Sequence, residues 1–153
     1  MHLRIIPGDL HDPRVVALLA IHFATMRSTG PEESCHVMPV DAMREADLDF
    51  SAAWDGETLA GVGAVKRLNA AHGEIKSMHT AAAYRRQGVG QAILSHLIAH
   101  AAAMGLSRLS LETGAGDFFV AAREMYARNG FELCEPFGAY HPDPNSVFMT
   151  RRI

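Results

Sequence analysis

The sequence feature that most constrains the fold is a glycine-rich turn between a predicted strand and a predicted helix. Arg85-Arg86-Gln87-Gly88-Val89-Gly90 follows a strand-like stretch that ends at Thr80 and precedes a helical apolar pattern that runs to Met104. Two glycines let the main chain turn tightly and approach a ligand closely. The start of a helix adds unpaired N–H groups and the positive end of the helix dipole. The turn therefore predicts an anion site suited to a pyrophosphate.

Two familiar phosphate loops do not fit this turn. A Walker loop needs G-x-x-x-x-G-K-[ST], which the chain lacks. A dinucleotide-binding loop needs a third glycine, where Ile93 stands, and a position at the first β-α turn of the chain. The pattern that remains is R-x-x-G-x-G. Because a lone G-x-G pair is more often a structural turn, the turn alone does not identify a ligand.

The hydrophobic pattern predicts the order β-α-(α)-β-β-β-α-β-α-β-β. Asp12-Pro13 begins the first helix, which runs to about residue 26. Asp55-Gly56 marks a hairpin turn, and Asp117 is expected to cap the helix that ends near Asn129. The expected apolar stripe of the first helix consists of Val16, Leu19, Ala20, Phe23 and Met26. A meander followed by a β-α-β crossover predicts a mixed sheet with helices packed on it.

Length and composition exclude several classes of protein. The chain has 153 residues, of which 48% are hydrophobic, and this predicts a single domain over residues 1–153. The longest apolar run, Val15 to Ile21, is too short to span a membrane, and the N-terminus has no signal-peptide pattern. We therefore expect a cytoplasmic protein. The net charge of -3 argues against a general nucleic-acid binder, and the isolated Cys35 and Cys134 suggest no zinc site.

The charge is unevenly distributed along the chain. Residues 66–86 contain five basic side chains and one acidic side chain, Glu74. On charge alone such a run is more often a solvated face than a site for an anionic ligand. The glycine turn at the end of this run favours the second interpretation.

Three features in this order and spacing resemble the GNAT superfamily of acyl-CoA-dependent N-acetyltransferases. They are the strand before the turn, the R-x-x-G-x-G turn itself, and Met125-Tyr126-Ala127-Arg128-Asn129-Gly130-Phe131, which looks like the family's L-Y-x-x-x-G-F helix end. The resemblance covers most of the chain and is strongest over residues 73–131. It implies the mixed α/β GNAT acyl-CoA N-acyltransferase fold, with a central, largely antiparallel sheet flanked by helices.

The resemblance implies acetyl-CoA as the co-substrate and no metal. In the family the strand before the turn separates from the next strand, and the pantetheine arm pairs with its exposed main chain. The pyrophosphate would then lie over the turn, with two arginines beside it. The cofactor-binding residues carried over in this way are Met78, His79, Thr80, Arg85, Arg86, Gln87, Gly88, Val89, Gly90 and Gln91.

The resemblance also implies two catalytic residues. Tyr126 matches the tyrosine that protonates the leaving thiolate in many members, although it can also be read as a core aromatic beside Phe118, Ala122 and Met125. Glu74 lies where some members carry a catalytic base, although it can also be an exposed strand carboxylate paired with Lys76 or Arg67. Other candidates for the base are Glu112, His79 and an ordered water. A main-chain N–H near Met78 would stabilise the oxyanion.

The expected reaction is direct attack of a primary amine, carried by a small molecule, on the thioester of acetyl-CoA. Two loops, about residues 29–43 and 136–145, are expected to form the acceptor site, with Ser34, Cys35, His36, Phe137 and Tyr140 as candidates. The alternatives are an acetyltransferase of protein lysines or N-termini and a CoA-binding sensor without activity. We expect no membrane or nucleic-acid partner, and the resemblance implies that a homodimer can form.

Overall fold

Residues 1–153 are described by a computed structural model. Its seven strands are β1 (Leu3–Pro7), β2 (Leu48–Asp55), β3 (Thr58–Arg67), β4 (His72–Thr80), β5 (Arg108–Gly114), β6 (Glu132–Leu133) and β7 (Ser146–Arg152). Its four α-helices are α1 (Pro13–Arg27), α2 (Val40–Glu45), α3 (Val89–Ala103) and α4 (Val120–Arg128). The predicted order of elements is confirmed. None of the helices is long and apolar enough to cross a membrane.

All seven strands form one sheet in the order β1-β2-β3-β4-β5-β7-β6. Every neighbouring pair is antiparallel except β4 and β5, which are parallel and joined by the crossover through α3. The expected mixed, largely antiparallel GNAT sheet is therefore confirmed. Each face of this sheet carries its own apolar core, one under α3 and α4 and the other under α1 and α2.

Local signals explain where several elements begin and end. The Asp12 side chain accepts a hydrogen bond from the Arg14 main-chain N–H at 2.9 Å, as expected of an N-cap followed by proline. Gly105 and Gly130 close α3 and α4 with φ angles of 86° and 85°. The predicted apolar stripe of α3 is also correct, since Ile93, Leu94, Leu97 and Ala101 are buried.

Two details of the sequence interpretation are wrong. Asp117 does not cap α4, because it begins a short 3₁₀ turn over Asp117–Phe119 and its side chain makes no capping hydrogen bond. The buried face of α1 is also rotated from the expected stripe: it consists of Val15, Leu18, Leu19 and His22. Two overlapping apolar patterns exist in this helix, and packing against the sheet selects the one that includes a histidine.

Candidate active site

The site is a cleft that opens where β4 and β5 separate. The two strands pair only at His72–Glu74 with Arg108–Ser110, and beyond that point they have no register partners in common. The carboxyl-terminal halves of both strands therefore present unpaired edges to each other. A cleft of about 730 Å³ lies between them, in the position where the resemblance implied that a pantetheine arm would pair with β4.

The turn after β4 forms a main-chain anion cradle at one end of this cleft. A 3₁₀ turn over Ala82–Tyr84 leads into it, and the Tyr84 hydroxyl fixes this turn by donating to Asp55 Oδ2 at 2.9 Å. Arg86 and Gly88 have φ angles of 62° and 83°. None of the consecutive N–H groups from Arg86 through Gln91 donates to a protein acceptor. Left-handed residues in such a loop turn successive N–H groups inward, which is the geometry of an anion-binding nest.

The structure brings nearly all predicted site residues to the same cleft. Those that line it are Glu74, Met78, His79, Thr80, Arg85, Arg86, Gly88, Val89, Gly90, Gln91 and Tyr126. Gln87 belongs to the turn but does not line the cleft, because its side-chain amide donates to the Ala83 carbonyl at 2.9 Å. Only the main chain of Gln87 is therefore available to a ligand.

A bulge interrupts β4 beside the cleft. Ser77 and Met78 together lie opposite the single residue Gly63 of β3, and Ser77 has a φ angle of 57°. A non-glycine residue in this region costs about 1–2 kcal/mol, a cost typical of functional sites. Gly63 makes the packing possible, because a Cβ there would come within 2.8 Å of Met78 Sδ. The bulge frees the main chain at Met78 from regular pairing with β3.

Tyr126 lies in α4 and faces the cleft from the side of β5. Its side chain is only 6% exposed and packs edge-to-face on Phe131, with ring centroids 5.9 Å apart. Its hydroxyl makes no hydrogen bond within the protein, and burial raises the pKa of Tyr126 to about 12. Of the neighbours expected in a structural interpretation, Phe118 is 61% exposed, whereas Ala122 and Met125 pack against the apolar core that includes Tyr126.

A double amide contact connects the anion cradle to the helix that carries Tyr126. Gln91 Nε2 donates to Asn129 Oδ1 at 2.8 Å, and Asn129 Nδ2 donates back to Gln91 Oε1 at 2.8 Å. Gln91 lies in the first turn of α3, and Asn129 follows α4. The contact therefore ties the start of α3 to the end of α4.

Glu74 is a buried member of a three-residue polar cluster. Tyr140 donates its hydroxyl proton to Glu74 Oε2 at 2.5 Å, and Lys76 Nζ lies 3.2 Å from the same oxygen. Burial and then the charge of Glu74 raise the pKa of the Tyr140 phenol. Glu74 is 4% exposed, so the alternative of an exposed carboxylate is wrong, although the expected Lys76 partner is present. Arg67 instead donates to the main-chain carbonyls of Ala70 and Met104.

Glu112 faces the same cleft from the unpaired edge of β5. It forms no ion pair. Burial raises the pKa of its carboxyl, and Ser146 together with the charges of His36 and Lys76 partly opposes that rise. Glu74 and Glu112 therefore occupy different environments: one is paired with a cation, whereas the other is desolvated without such a partner.

His22, which sequence reasoning missed, lies in the cleft and pairs with His79. His22 Nδ1 lies 3.0 Å from His79 Nδ1, so one imidazole donates and the other accepts. Burial and the charge of His79 lower the pKa of His22 to about 4, and burial and then Arg85 lower the pKa of His79. If the apolar helical periodicity of α1 is aligned on Leu18 and Leu19, it places His22 on the buried face of the helix.

The two loops that the sequence suggested for the acceptor site meet at one end of the cleft. Ser34, Cys35, His36 and Tyr140 line it, whereas Phe137 packs against Tyr140 outside the lining. The His36 and Tyr140 rings meet edge-to-face, with centroids 5.0 Å apart. Three or more His, Cys, Asp or Glu side chains do not come together anywhere in the chain to hold a metal ion.

Together, the separated parallel strands and the main-chain cradle define an acyl-CoA-binding transferase fold. The chain matches the acetyltransferase (GNAT) family over residues 15–131. It therefore belongs to that family and is an acetyl-CoA-dependent N-acetyltransferase.

Curated relatives support the same assignment. The chain is 45% identical over 153 residues to the uncharacterized N-acetyltransferase YsnE of Bacillus subtilis, covering 100% of both chains. It is 45% identical over 142 residues to the uncharacterized N-acetyltransferase YedL of Escherichia coli, covering 93% of this chain and 89% of that one. It is 35% identical over 125 residues to the IAA acetyltransferase of Azospirillum brasilense, covering 80% of each.

Solved structures show the same fold. An acyl-CoA N-acyltransferase of Klebsiella pneumoniae superposes with a TM-score of 0.79 at 27% identity, over 98% of this chain and 97% of that one. An N-acetyltransferase of Thermoplasma acidophilum in complex with coenzyme A superposes with a TM-score of 0.74 at 14% identity, over 100% of both chains.

Proposed function

We propose that this enzyme transfers the acetyl group of acetyl-CoA to a primary amine of a small molecule, by direct attack within a ternary complex. The observation that carries this proposal is the contact between the two loops at one end of the cleft. Asn145 Nδ2 reaches Ser34 Oγ at 3.3 Å, and the His36 ring packs on Tyr140, so the two loops touch each other. Loops that bridge the cleft in this way suit a compact acceptor better than an extended peptide, which needs an open groove.

The cradle and the unpaired edge of β4 would hold the cofactor. N–H groups from Arg86 through Gln91 would bind the pyrophosphate, with Arg85 and Arg86 adding positive charge. The main chain of Met78, His79 and Thr80 would pair with the pantetheine arm, as an added strand pairs with a sheet edge. This arrangement directs the thioester along β4 toward the bulge.

The amine must lose a proton before or during its attack, and Glu74 is the proposed acceptor of that proton. Both protein donors to Glu74 use Oε2, so Oε1 receives no hydrogen bond from the protein. Oε1 can therefore take the proton directly or through a water molecule. The nitrogen then attacks the thioester carbonyl, and the N–H of Met78 stabilises the oxyanion that forms.

Collapse of the tetrahedral intermediate breaks the C–S bond and leaves a thiolate near Tyr126. The phenol of Tyr126 has a pKa of about 12, whereas an ordinary thiol has a pKa of about 8.5. This difference in pKa corresponds to about 5 kcal/mol. Full proton transfer would cost this amount unless burial raises the pKa of the thiol similarly. The proposed role of Tyr126 is therefore to donate a hydrogen bond to the sulfur and to release its proton only as the thiolate becomes equally desolvated.

Glu112 is a second candidate for the base. Burial raises the pKa of its carboxyl, and it forms no ion pair, so it is more basic than an ordinary carboxylate. If Glu112 is the base, activity falls on acidification at a higher pH than it would with an ordinary carboxylate as the base.

Matched variants test these roles. We expect Glu74→Gln to lower kcat at least about 100-fold, a typical contribution of general base catalysis, while the Kd for CoA is unchanged by calorimetry. Glu112→Gln is the matched control, since it removes the other carboxylate of the same cleft. If Glu112→Gln shows the larger loss and abolishes the acidic limb of the pH profile, Glu112 is the base. Tyr126→Phe is expected to lower the rate of thiol release and to leave CoA binding intact.

An acceptor panel tests the substrate class. Thiol release would be measured with small primary amines, with lysine-containing peptides, and with IAA, because one relative is named an IAA acetyltransferase. Turnover with small amines supports the proposal. Turnover with peptides alone would assign protein acetylation, and saturable CoA binding without any thiol release would assign a sensor.

A further inference from the structure

A second concave surface lies where β5 begins and β7 and α4 end. This groove has a volume of about 820 Å³, and no hydrophobic side chain lines it. Its lining consists of Arg108, Arg128, Asn129, Gly130, Glu132, Thr150, Arg151 and Arg152. Four arginines therefore face one glutamate in a chain whose net charge is -3.

These arginines are not neutralised within the protein. None of the four forms an ion pair, whereas Arg14, Arg27 and Arg44 each have a carboxylate partner. Glu132 lies on the neighbouring strand β6, opposite Thr150, and forms no ion pair either. The positive charge of the groove is therefore available to a ligand.

The sheet places two of these charges directly against each other. Arg108 of β5 and Arg152 of β7 are register partners in an antiparallel pair. The Cβ atoms of such partners lie about 4.5–5.5 Å apart, and like charges at this spacing destabilise the pair. Local conflicts of this kind in native proteins are found mainly at functional sites. A bound anion would remove the conflict.

Two of the side chains are held in place by neutral acceptors. Arg108 Nη1 donates to Thr150 Oγ1 at 3.0 Å, and Arg151 Nη1 donates to the Asn129 carbonyl at 2.7 Å. A guanidinium carries five N–H donors, so most of them remain available. Because these side chains are already ordered, a ligand loses less free energy in fixing them.

We propose that this groove binds a small multivalent oxyanion, a compound that carries phosphate groups or several carboxylates. The site is separate from the proposed acyl-acceptor site. Arg128 lines both the groove and the acetyl-CoA cleft, so it is left unchanged in the test. The enzyme would then recognise a second anion besides its cofactor.

The test uses enzyme saturated with CoA, so that the cofactor cradle is already filled. Thermal unfolding is followed as inorganic pyrophosphate or citrate is added, with NaCl adjusted to keep the ionic strength constant. We expect a saturable rise in Tm, because a ligand that binds only the native state stabilises it. A response to pyrophosphate alone identifies a phosphate-type ligand, and a response to citrate alone identifies a polycarboxylate.

The double variant Arg108→Gln/Arg152→Gln is expected to abolish this rise. Arg4→Gln/Arg27→Gln removes two surface charges outside the groove and is expected to retain it. Without ligand, Arg152→Gln alone is expected to raise Tm by about 1–3 °C, because it removes the like-charged pair. An equal response of both double variants, no saturable response of the wild type, or a homodimer that covers the groove would overturn the proposal.

Discussion

The two halves of the cleft are built in opposite ways. The cofactor half presents main-chain N–H groups from one continuous stretch, Arg86 through Gln91, and these groups have no partner in the protein. The acceptor half is built from side chains of α1, β4, β5 and two loops, and several of these already bond each other, as Tyr140 does with Glu74 and His22 with His79. The main chain of the cofactor half is therefore preorganised for one ligand. The side chains of the acceptor half can be changed by single substitutions.

This difference has a consequence for binding and catalysis. Acetyl-CoA is common to the family, so its site can depend on main-chain geometry, which most side-chain substitutions leave intact. In the proposed mechanism, acceptor choice depends on side chains that come from segments far apart in the chain. Substitutions in the two halves should therefore separate cofactor affinity from turnover.

The largest expected effect follows from strain in the cofactor half. Gly88→Val places a β-branched residue at a φ angle of 83°, which such residues strongly avoid. The turn must change its conformation, and the N–H groups then point away from the pyrophosphate. We expect the Kd for CoA to rise about 100-fold by calorimetry, an energy of about 3 kcal/mol.

Gly56 provides a matched control for this substitution. It has a φ angle of 61° in the β2–β3 hairpin, and an added Cβ meets nothing within 4 Å at Gly56 or at Gly88. Gly56→Val should destabilise the fold by a similar amount and leave CoA affinity unchanged. Equal losses of CoA affinity in both variants would show that the effect comes from general destabilisation.

The second prediction concerns pH and the acceptor half. The pKa of His22 is lowered to about 4 in the native protein, against about 6.5 for an unperturbed histidine. The unfolded chain therefore binds the proton more readily, so this contribution to stability is complete above about pH 6.5 and is lost as the pH falls toward 4. The linked free energy is about 3 kcal/mol.

Urea unfolding of the wild type and of His22→Leu at pH 7.5, 6 and 4.5 measures this contribution. The variant removes the titrating group but keeps an apolar side chain of suitable size. The difference in unfolding free energy between the two proteins should change by up to about 3 kcal/mol across this range. A constant difference would mean that the histidine pair does not titrate with folding.

The third prediction tests whether a substitution in the acceptor half leaves the affinity for CoA unchanged. Tyr140→Phe removes two hydrogen bonds, the one at 2.5 Å to Glu74 Oε2 and the one at 3.2 Å from Lys76 Nζ, and leaves the contact between Lys76 and Glu74 in place. A buried hydrogen bond to a charged group contributes about 1.5–3 kcal/mol. We expect kcat/KM for the acceptor to fall about 10- to 30-fold, while the Kd for CoA stays within twofold. A matching loss of CoA affinity would contradict the separation of the two halves.

The same contrast explains what could be predicted from the sequence. The order of elements and the cradle were predictable, because glycine positions and hydrophobic periodicity are local signals. The Tyr140–Glu74 contact was not, since it joins residues 66 positions apart. His22 was missed because two apolar stripes of α1 overlap, and only packing on the sheet selects the buried one. The strain at Ser77 has no sequence signature, because serine is not a residue that favours a positive φ.

The smallest expected effect concerns the side chains of the cofactor half. It separates their contribution to CoA affinity from the contribution of the main-chain N–H groups. Arg85 and Arg86 line the mouth of the cleft and form no ion pair. Exposed charges act through water and are screened by salt, with a Debye length of about 10 Å at 0.1 M. We therefore expect Arg85→Gln/Arg86→Asn to raise the Kd for CoA about 3- to 10-fold at low salt. Asparagine is chosen at residue 86 because it tolerates the left-handed φ angle there.

Calorimetry at 25 mM and 300 mM NaCl distinguishes the two contributions. The ratio of Kd values between variant and wild type should fall toward one at high salt, because screening removes what the arginines supply. The loss caused by Gly88→Val should persist at both concentrations, because it comes from misdirected N–H groups in direct contact with the ligand. If the arginine variant loses as much affinity as Gly88→Val and does so at both salt concentrations, side chains rather than the main chain hold the pyrophosphate.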